Sequence, residues 1–424
     1  LAQFGGGTLN FTSTAGNVTL TDIDFSASNG SLSVRAAQLV TGNITQTGAS
    51  TLNLGSGFLT LRADNNVTLD NVTAGGISVS QANNQVFSPV FSNGSCETIN
   101  FSFVCAPNAF AAGNIIDPSG FGSFSATARH GITTGNLDVG SVDFTAYEGG
   151  IMVGTIGSAA TPANSIFLNT NTSGVGGSVQ TGAIEANSTT IYSDSAITVG
   201  TLITPAAVNA VNTGAGSLYF YTLNGDITAG SLDASSVQLD ANGGASAVTT
   251  ANINASAATT FPGYVGINAN ASVSIGTLDA DQIVIGGHCC STYPSITTGA
   301  IGGNRPGNYV DFSGSSVSIG GGLNLDAAGT GQWLQVGALS NLTISGNVTT
   351  GQGGDFFTPM RLNAGSGLLT INSGSSVISA ADGSFISLQA GDTNTATPFQ
   401  FASIGAGPTG GVTVNAPAGI RQTL

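Results

Sequence analysis

The chain has 424 residues and a formal net charge of −15, yet only 6% of its residues are charged. It contains no lysine; the cations are Arg35, Arg62, Arg129, Arg305, Arg361 and Arg421, with no basic stripe for nucleic acid to follow. A hydrophobic fraction of 41% excludes a disordered chain, and no apolar run reaches the ~18–20 residues that a membrane helix needs.

Glycine, at 63 residues, interrupts nearly every window long enough for a helix, and strong helix formers are scarce. The expectation is an all-β chain. In chain order, triplets of apolar, small polar and apolar residues open at Leu9-Asn10-Phe11 and Val18-Thr19-Leu20. They continue through Leu32-Ser33-Val34, Leu59-Thr60-Leu61, Val67-Thr68-Leu69 and Ile77-Ser78-Val79. Each reads as a short strand with two residues inward and one outward.

Between residues 81 and 125 the pattern breaks. This stretch carries Phe87, Phe91, Phe101, Phe103, Phe110 and Phe121, with Cys96 and Cys105 among them, and is predicted to be a loop insertion projecting from the solenoid. The six phenylalanines read either as an apolar flap covering the flank of the rod or as candidate partner contacts. Cys96 and Cys105 enclose eight residues and are candidates for a disulfide, with two free thiols as the alternative.

Beyond the insertion three stretches align without gaps. They run Ile132-Thr-Thr-Gly135-Asn-Leu137-Asp138 then Val142-Asp-Phe144; Ile227-Thr-Ala-Gly230-Ser-Leu232-Asp233 then Val237-Gln-Leu239; and Val273-Ser-Ile-Gly276-Thr-Leu278-Asp279 then Ile283-Val-Ile285. Repeat starts from Ile132 to Ile296 recur about every 23 residues, inside the solenoid range. Such a unit buries its apolar face only by stacking on its neighbours. The fold class predicted is therefore all-β, a right-handed parallel β-helix (β-solenoid) of about 18 rungs of roughly 23 residues, running as one continuous domain over residues 1–424. At ~4.8 Å per rung it would be ~90 Å long. The glycines are expected to supply positive φ at the corners.

The uncharged Gly/Ser/Thr/Asn composition and the Ile-Thr-x-Gly-x-Leu-Asp units resemble filamentous haemagglutinin-type bacterial exoproteins, exported by two-partner secretion, and autotransporter passengers. The resemblance covers essentially the whole chain and rests on repeat style. The Asn-Pro-containing secretion motifs of that family do not occur. The resemblance implies a secreted or cell-surface rod segment of a large adhesin, meeting host or neighbouring-cell glycans or proteins. Both cysteine pairs depart from that family's pattern.

The chain starts at Leu1 without methionine, so a processed product or fragment is expected. Repeats run close to both ends, so the strand edges there are expected to meet continuing chain or further copies; a subunit of an extracellular filament or sheath is the alternative function. A polysaccharide-active enzyme is the remote alternative. Its carboxylate pairs would be Asp22 with Asp24 and Asp279 with Asp281, but no arginine lies near them in sequence, and Asp138, Asp233 and Asp279 recur as a turn feature. No catalytic residue, metal ligand or cofactor is assigned. Structural calcium lacks its nonapeptide repeat. His288-Cys289-Cys290 lacks further ligands, so Cys289 and Cys290 are disulfide or cross-link candidates. Fourteen Asn-x-Ser/Thr sequons occur; Asn17, Asn43, Asn66, Asn71, Asn341 and Asn347 are candidate glycosylation sites, several where a turn enters a strand.

Overall fold

The computed structural model describes residues 7–14, 16–36, 42–47, 50–80, 96–99, 102–105, 107–158, 160–170, 177–203, 216–255, 263–287, 292–303, 309–325, 333–350, 360–371, 376–379, 385–390, 399–401, 403–405, 411–415 and 420–422. The chain forms two compact units, Leu1–Pro205 with Phe220–Asn224, and Ala206–Tyr219 with Gly225–Leu424. Among the described residues there is no helix, and each unit is a parallel β-helix.

A rung of the first unit shows the plan. Ser31–Ala36 forms a long strand, Ile44–Gln46 a second strand and Leu52–Asn53 a third, after which Phe58–Ala63 begins the next rung. Three ladders result, here called the long, threonine and short sheets. In the long sheet Leu32 pairs with Leu59, and Leu59 with Ile77. In the threonine sheet Val18 pairs with Ile44 and Ile44 with Val67, bringing Thr19, Thr45 and Thr68 into one outward file. In the short sheet Ile23 pairs with Leu52 and Leu52 with Val72. The second unit repeats the plan, as in Ser236–Ala241, Ala247–Thr250 and Ile253–Ala255.

Alternation explains the core. The long strand Ser31–Ala36 is half-buried at its odd positions and buried at Leu32, Val34 and Ala36. Full burial of each such Val, Leu or Ile is worth about 1.5–3 kcal/mol, and stacking supplies it because no single rung has two faces to close. The rungs are unequal. Leu59 pairs with Ile77 and Val265 with Ile283 across short rungs, whereas Val237 reaches Val265 across a much longer one. The repeat spacing read from the sequence is thus an average over a short minimal rung and rungs lengthened at their corners.

The insertion expected over 81–125 is narrower than that. Ala109–Ala112 joins the threonine sheet between Asn66–Thr68 and Gly131–Thr134, and Ser123–Ala128 joins the long sheet beside Gly76–Ser80. Rung structure therefore resumes by Ala109. Phe110 is not a partner contact: it is 1% exposed, and its ring meets Phe124 edge-on at 5.5 Å, which in turn meets Phe144 at 4.7 Å. A core of stacked rungs takes up an aromatic wherever neighbouring rungs leave volume for it, here beside the small Ala126. Phe121 does stand out, at 84% exposure. Cys96–Ile99 and Ser102–Cys105 pair as an antiparallel hairpin with Cys96 opposite Cys105 and Phe103 opposite Thr98. Phe87, Phe91, Phe101, Cys289 and Cys290 lie outside the described residues.

Gly55, Gly120, Gly157 and Gly302 have the positive φ expected of turn glycines, but the glycines that end the threonine-sheet strands are required for a different reason. Gly135, Gly154, Gly182 and Gly200 end successive strands of the threonine sheet, and none has a positive φ. Each sits on the corner backbone of the previous rung: a Cβ on Gly154 would lie 2.9 Å from the Gly135 carbonyl carbon, and one on Gly200 would lie 2.9 Å from that of Gly182. Close approach of backbone to backbone at a rung spacing of about 4.8 Å, not a left-handed conformation, keeps the Ile-Thr-x-Gly register.

Candidate functional site

Three of the four carboxylates weighed for catalysis accept from the backbone. Asp22 accepts from the Thr51 N–H at 2.7 Å, across to the next rung, while Asp24 accepts from the Ser26 N–H at 2.9 Å in its own turn. Hydrogen bonds from Ser26 hold the Asp24 carboxyl below its ordinary value. Asp279 and Asp281 are both buried, and Asp281 accepts from the Gly263 N–H at 2.7 Å. The repeated aspartates Asp138, Asp233 and Asp279 lie on short-sheet strands. Asp233 and Asp279 are strand residues in one file with Asn254, whose amide donates to Asp233 at 3.3 Å; burial still leaves the Asp233 carboxyl raised. Asp138 accepts instead from the Thr161 hydroxyl at 2.6 Å. Among the described residues no group of three His, Cys, Asp or Glu converges as metal ligands would.

The sequon asparagines largely fasten one rung to the next. Asn17 Oδ1 accepts from the Asn43 N–H at 2.9 Å, Asn43 Oδ1 from the Asn66 N–H at 3.1 Å, and Asn66 Oδ1 from the Asn108 amide at 3.3 Å. A second file starts at Asn71, which accepts from the Asn114 N–H at 2.9 Å; Asn114 accepts from Asn136 at 2.8 Å, and Asn136 from Thr155 at 2.9 Å. Asn341 does the same for the Leu368 N–H at 2.9 Å, and the Asn347 carbonyl accepts from the Leu323 N–H at 2.8 Å. In most of these bonds the asparagine side-chain oxygen accepts a main-chain N–H at a corner, where no strand partner is available. Asn136→Ala removes such an acceptor and is expected to lower stability by about 1 kcal/mol. Asn136→Asp, which keeps an acceptor oxygen, should recover most of that loss in urea melts.

One surface with the chemistry to hold a ligand is the outward face of the long sheet in the second unit, which the sequence did not single out. Parallel pairing puts Ser236, Tyr264, Gln282, Tyr309 and Trp333 in one file, at the first position of five successive strands. The third positions form the file Gln238, Gly266, Val284, Asp311 and Gln335. Tyr264 lies along its own strand over Gly266, where a Cβ would come within 2.5 Å of the tyrosine hydroxyl. Glycine at 266 thus makes the bed for that ring. Tyr309 and Trp333 are parallel to within 10°, with ring centroids 6.1 Å apart.

Polar groups edge these rings. The Tyr309 hydroxyl leans to Asp311 Oδ2 at 3.5 Å. Burial raises the Asp311 carboxyl above its usual range, and burial together with the Asp311 charge raises the Tyr309 phenol. The Asp240 carboxylate accepts from Gln238 at 2.9 Å and from Asn268 at 2.7 Å, fixing both amides. Trp333 Nε1 and, one rung on, Asn363 Oδ1 have no hydrogen-bond partner although both atoms are buried. A shorter aromatic run crosses the first unit, where Phe167 meets Tyr192 at 5.9 Å and Tyr192 meets Tyr221 at 6.1 Å.

Such a surface offers flat apolar rings beside fixed amides and carboxylates. It is suited to holding an extended, hydroxyl-rich chain. Comparison of the chain with protein-family models, with curated proteins and with solved structures gives no match.

Proposed function

We propose that this β-solenoid is a structural and adhesive segment of a secreted or cell-surface bacterial exoprotein of the filamentous haemagglutinin type, which binds neutral glycan chains through the outward face of its long sheet. The observation that carries the adhesive reading is the file of Tyr264, Tyr309 and Trp333, bordered by Gln238, Asp311 and Gln335. Sugar rings present apolar C–H faces and a rim of hydroxyls; aromatic faces and fixed amides match the two. Repetition at rung spacing lets successive sugars meet successive side chains, so weak individual contacts accumulate. Export fits a surface solvated by Ser, Thr and Asn with very few cations.

The test is calorimetric titration of the purified chain with neutral oligosaccharides of glucose, xylose, mannose and galactose. Saturable binding to at least one is expected, with affinity reduced about tenfold or more in Trp333→Ala, a change of at least about 1.4 kcal/mol. Its circular dichroism and melting should match the parent's. Failure of all four sugars to bind at millimolar concentration, or undiminished binding by Trp333→Ala, would overturn the reading.

A further inference from the structure

Two of the six arginines stand side by side. Arg35 and Arg62 are well separated in sequence, yet they are register partners on adjacent long strands of the first unit, Ser31–Ala36 and Phe58–Ala63. Both point outward between buried neighbours, Val34 and Ala36 on one strand and Leu61 and Ala63 on the next. Strands in a sheet are about 4.8 Å apart, so two guanidinium groups share one small patch. Placing like charges directly opposite each other is unfavourable unless something neutralises them. Among the described residues no carboxylate forms an ion pair with either guanidinium. Glu97, whose side chain lies outside the described residues, is the sole Asp or Glu in the neighbouring segments 37–41 and 81–107. Arg35 Nε is buried without a hydrogen-bond partner.

The rest of the patch consists of hydroxyls. Thr12 is the register partner of Arg35 on one side, and Ser80 that of Arg62 on the other. The adjacent file carries Ser33, Thr60 and Ser78. In a chain of net charge −15 this is a local positive site surrounded by donors. We propose that Arg35 and Arg62 together bind one oxyanion group, a carboxylate or a sulfate ester, carried by an acidic polysaccharide. Arginine pairs with such groups in a forked geometry, and the hydroxyls provide partners for the remaining oxygens and for sugar hydroxyls. The negative remainder of the chain disfavours a nucleic acid or an anionic bilayer, whose dense charges two cations cannot neutralise. A polysaccharide with spaced charges meets the patch one group at a time. The site is separate from the Tyr309 and Trp333 face and lies in the other unit.

The experiment titrates the full chain with dextran, carboxymethyl dextran, dextran sulfate, inorganic sulfate and vesicles of phosphatidylserine in phosphatidylcholine. Binding of carboxymethyl dextran or dextran sulfate, weakening as salt rises, is expected, whereas any binding of uncharged dextran should be insensitive to salt and to the arginine substitutions. Arg35→Gln and Arg62→Gln should each weaken it about tenfold, and Trp333→Ala should leave it unchanged, which separates this site from the neutral-glycan face. Inorganic sulfate competing for the polymer supports a single-group site. Should a glutamine variant lose its fold, Arg35→Lys and Arg62→Lys replace it and should weaken binding while retaining the melting temperature. Equal binding by the parent and the folded variants, binding of vesicles but of neither acidic polymer, or no binding of either acidic polymer would overturn the proposal.

Discussion

Phe110→Ala is expected to destabilise the first unit by about 3–5 kcal/mol in guanidinium unfolding, and Phe124→Ala by a similar amount. Both rings are 1% exposed and edge-on to each other, and Phe124 also meets Phe144. Truncation removes the transfer free energy of a ring and leaves a cavity that stacked strands, held in register on both sides, cannot collapse. Phe121→Ala is the contrast. That ring is 84% exposed, and its removal should change stability by no more than about 0.5 kcal/mol. Comparable effects at Phe110 and Phe121 would contradict the placement of Ala109–Ala112 inside the threonine sheet.

Gly149→Ala should be as damaging for a smaller change in mass. A Cβ at Gly149 would overlap the His130 carbonyl of the rung before, and one at Gly177 would in turn overlap the Gly149 carbonyl. The obstacle is backbone, which has no rotamer to change, so the corner must separate from its neighbour. A loss of about 3 kcal/mol or more is expected, at the upper end of overpacking effects. Gly244→Ala has nothing within 4 Å of the new methyl and no left-handed φ. It should be neutral or stabilise by up to about 1 kcal/mol, because alanine narrows the unfolded ensemble. Opposite signs at two corner-region glycines, read from thermal melts, distinguish crowding from conformational strain.

Much of the fold was legible because strands leave a local mark. Val18-Thr19-Leu20 and Ile197-Thr198-Val199 are threonine-sheet strands, and Leu32-Ser33-Val34 and Val142-Asp143-Phe144 lie in long ones. Period-two alternation marks both kinds alike, so the triplets alone did not separate the two sheets. The Gly-x-Leu-Asp segments recur where the short sheet begins, but Leu137 and Asp138 form a strand there and not a turn, with Leu137 buried. Positive φ accounts for Gly55, Gly120, Gly157 and Gly302, but crowding between residues a whole rung apart, as at Gly135 and Gly154, leaves no local trace in the sequence.

The candidate faces were invisible for a related reason. Tyr264, Tyr309 and Trp333 fall into one file only because rungs of unequal length intervene, a short one from Tyr264 to Gln282 and longer ones on to Tyr309 and to Trp333. No fixed period aligns them. Arg35 and Arg62 are likewise brought together by a rung longer than the one from Thr12 to Arg35. The aromatic segment attracted attention because its phenylalanines cluster in sequence, whereas Phe110 and Phe124 owe their place to partners in other rungs.

In-register parallel stacking carries every face described, and a distance measurement tests it most directly. Thr228, Thr249, Thr297 and Thr343 share one outward file of the second unit, with Ser274 and Ser318 between them. Five rung steps separate Thr228 from Thr343, so spin labels at these two positions, with the native cysteines replaced by serine, should lie about 24 Å apart. A narrow distribution near that distance is the predicted result of pulsed electron–electron resonance. A broad distribution, or a maximum displaced by more than about 8 Å from five strand spacings, would contradict the stacked register.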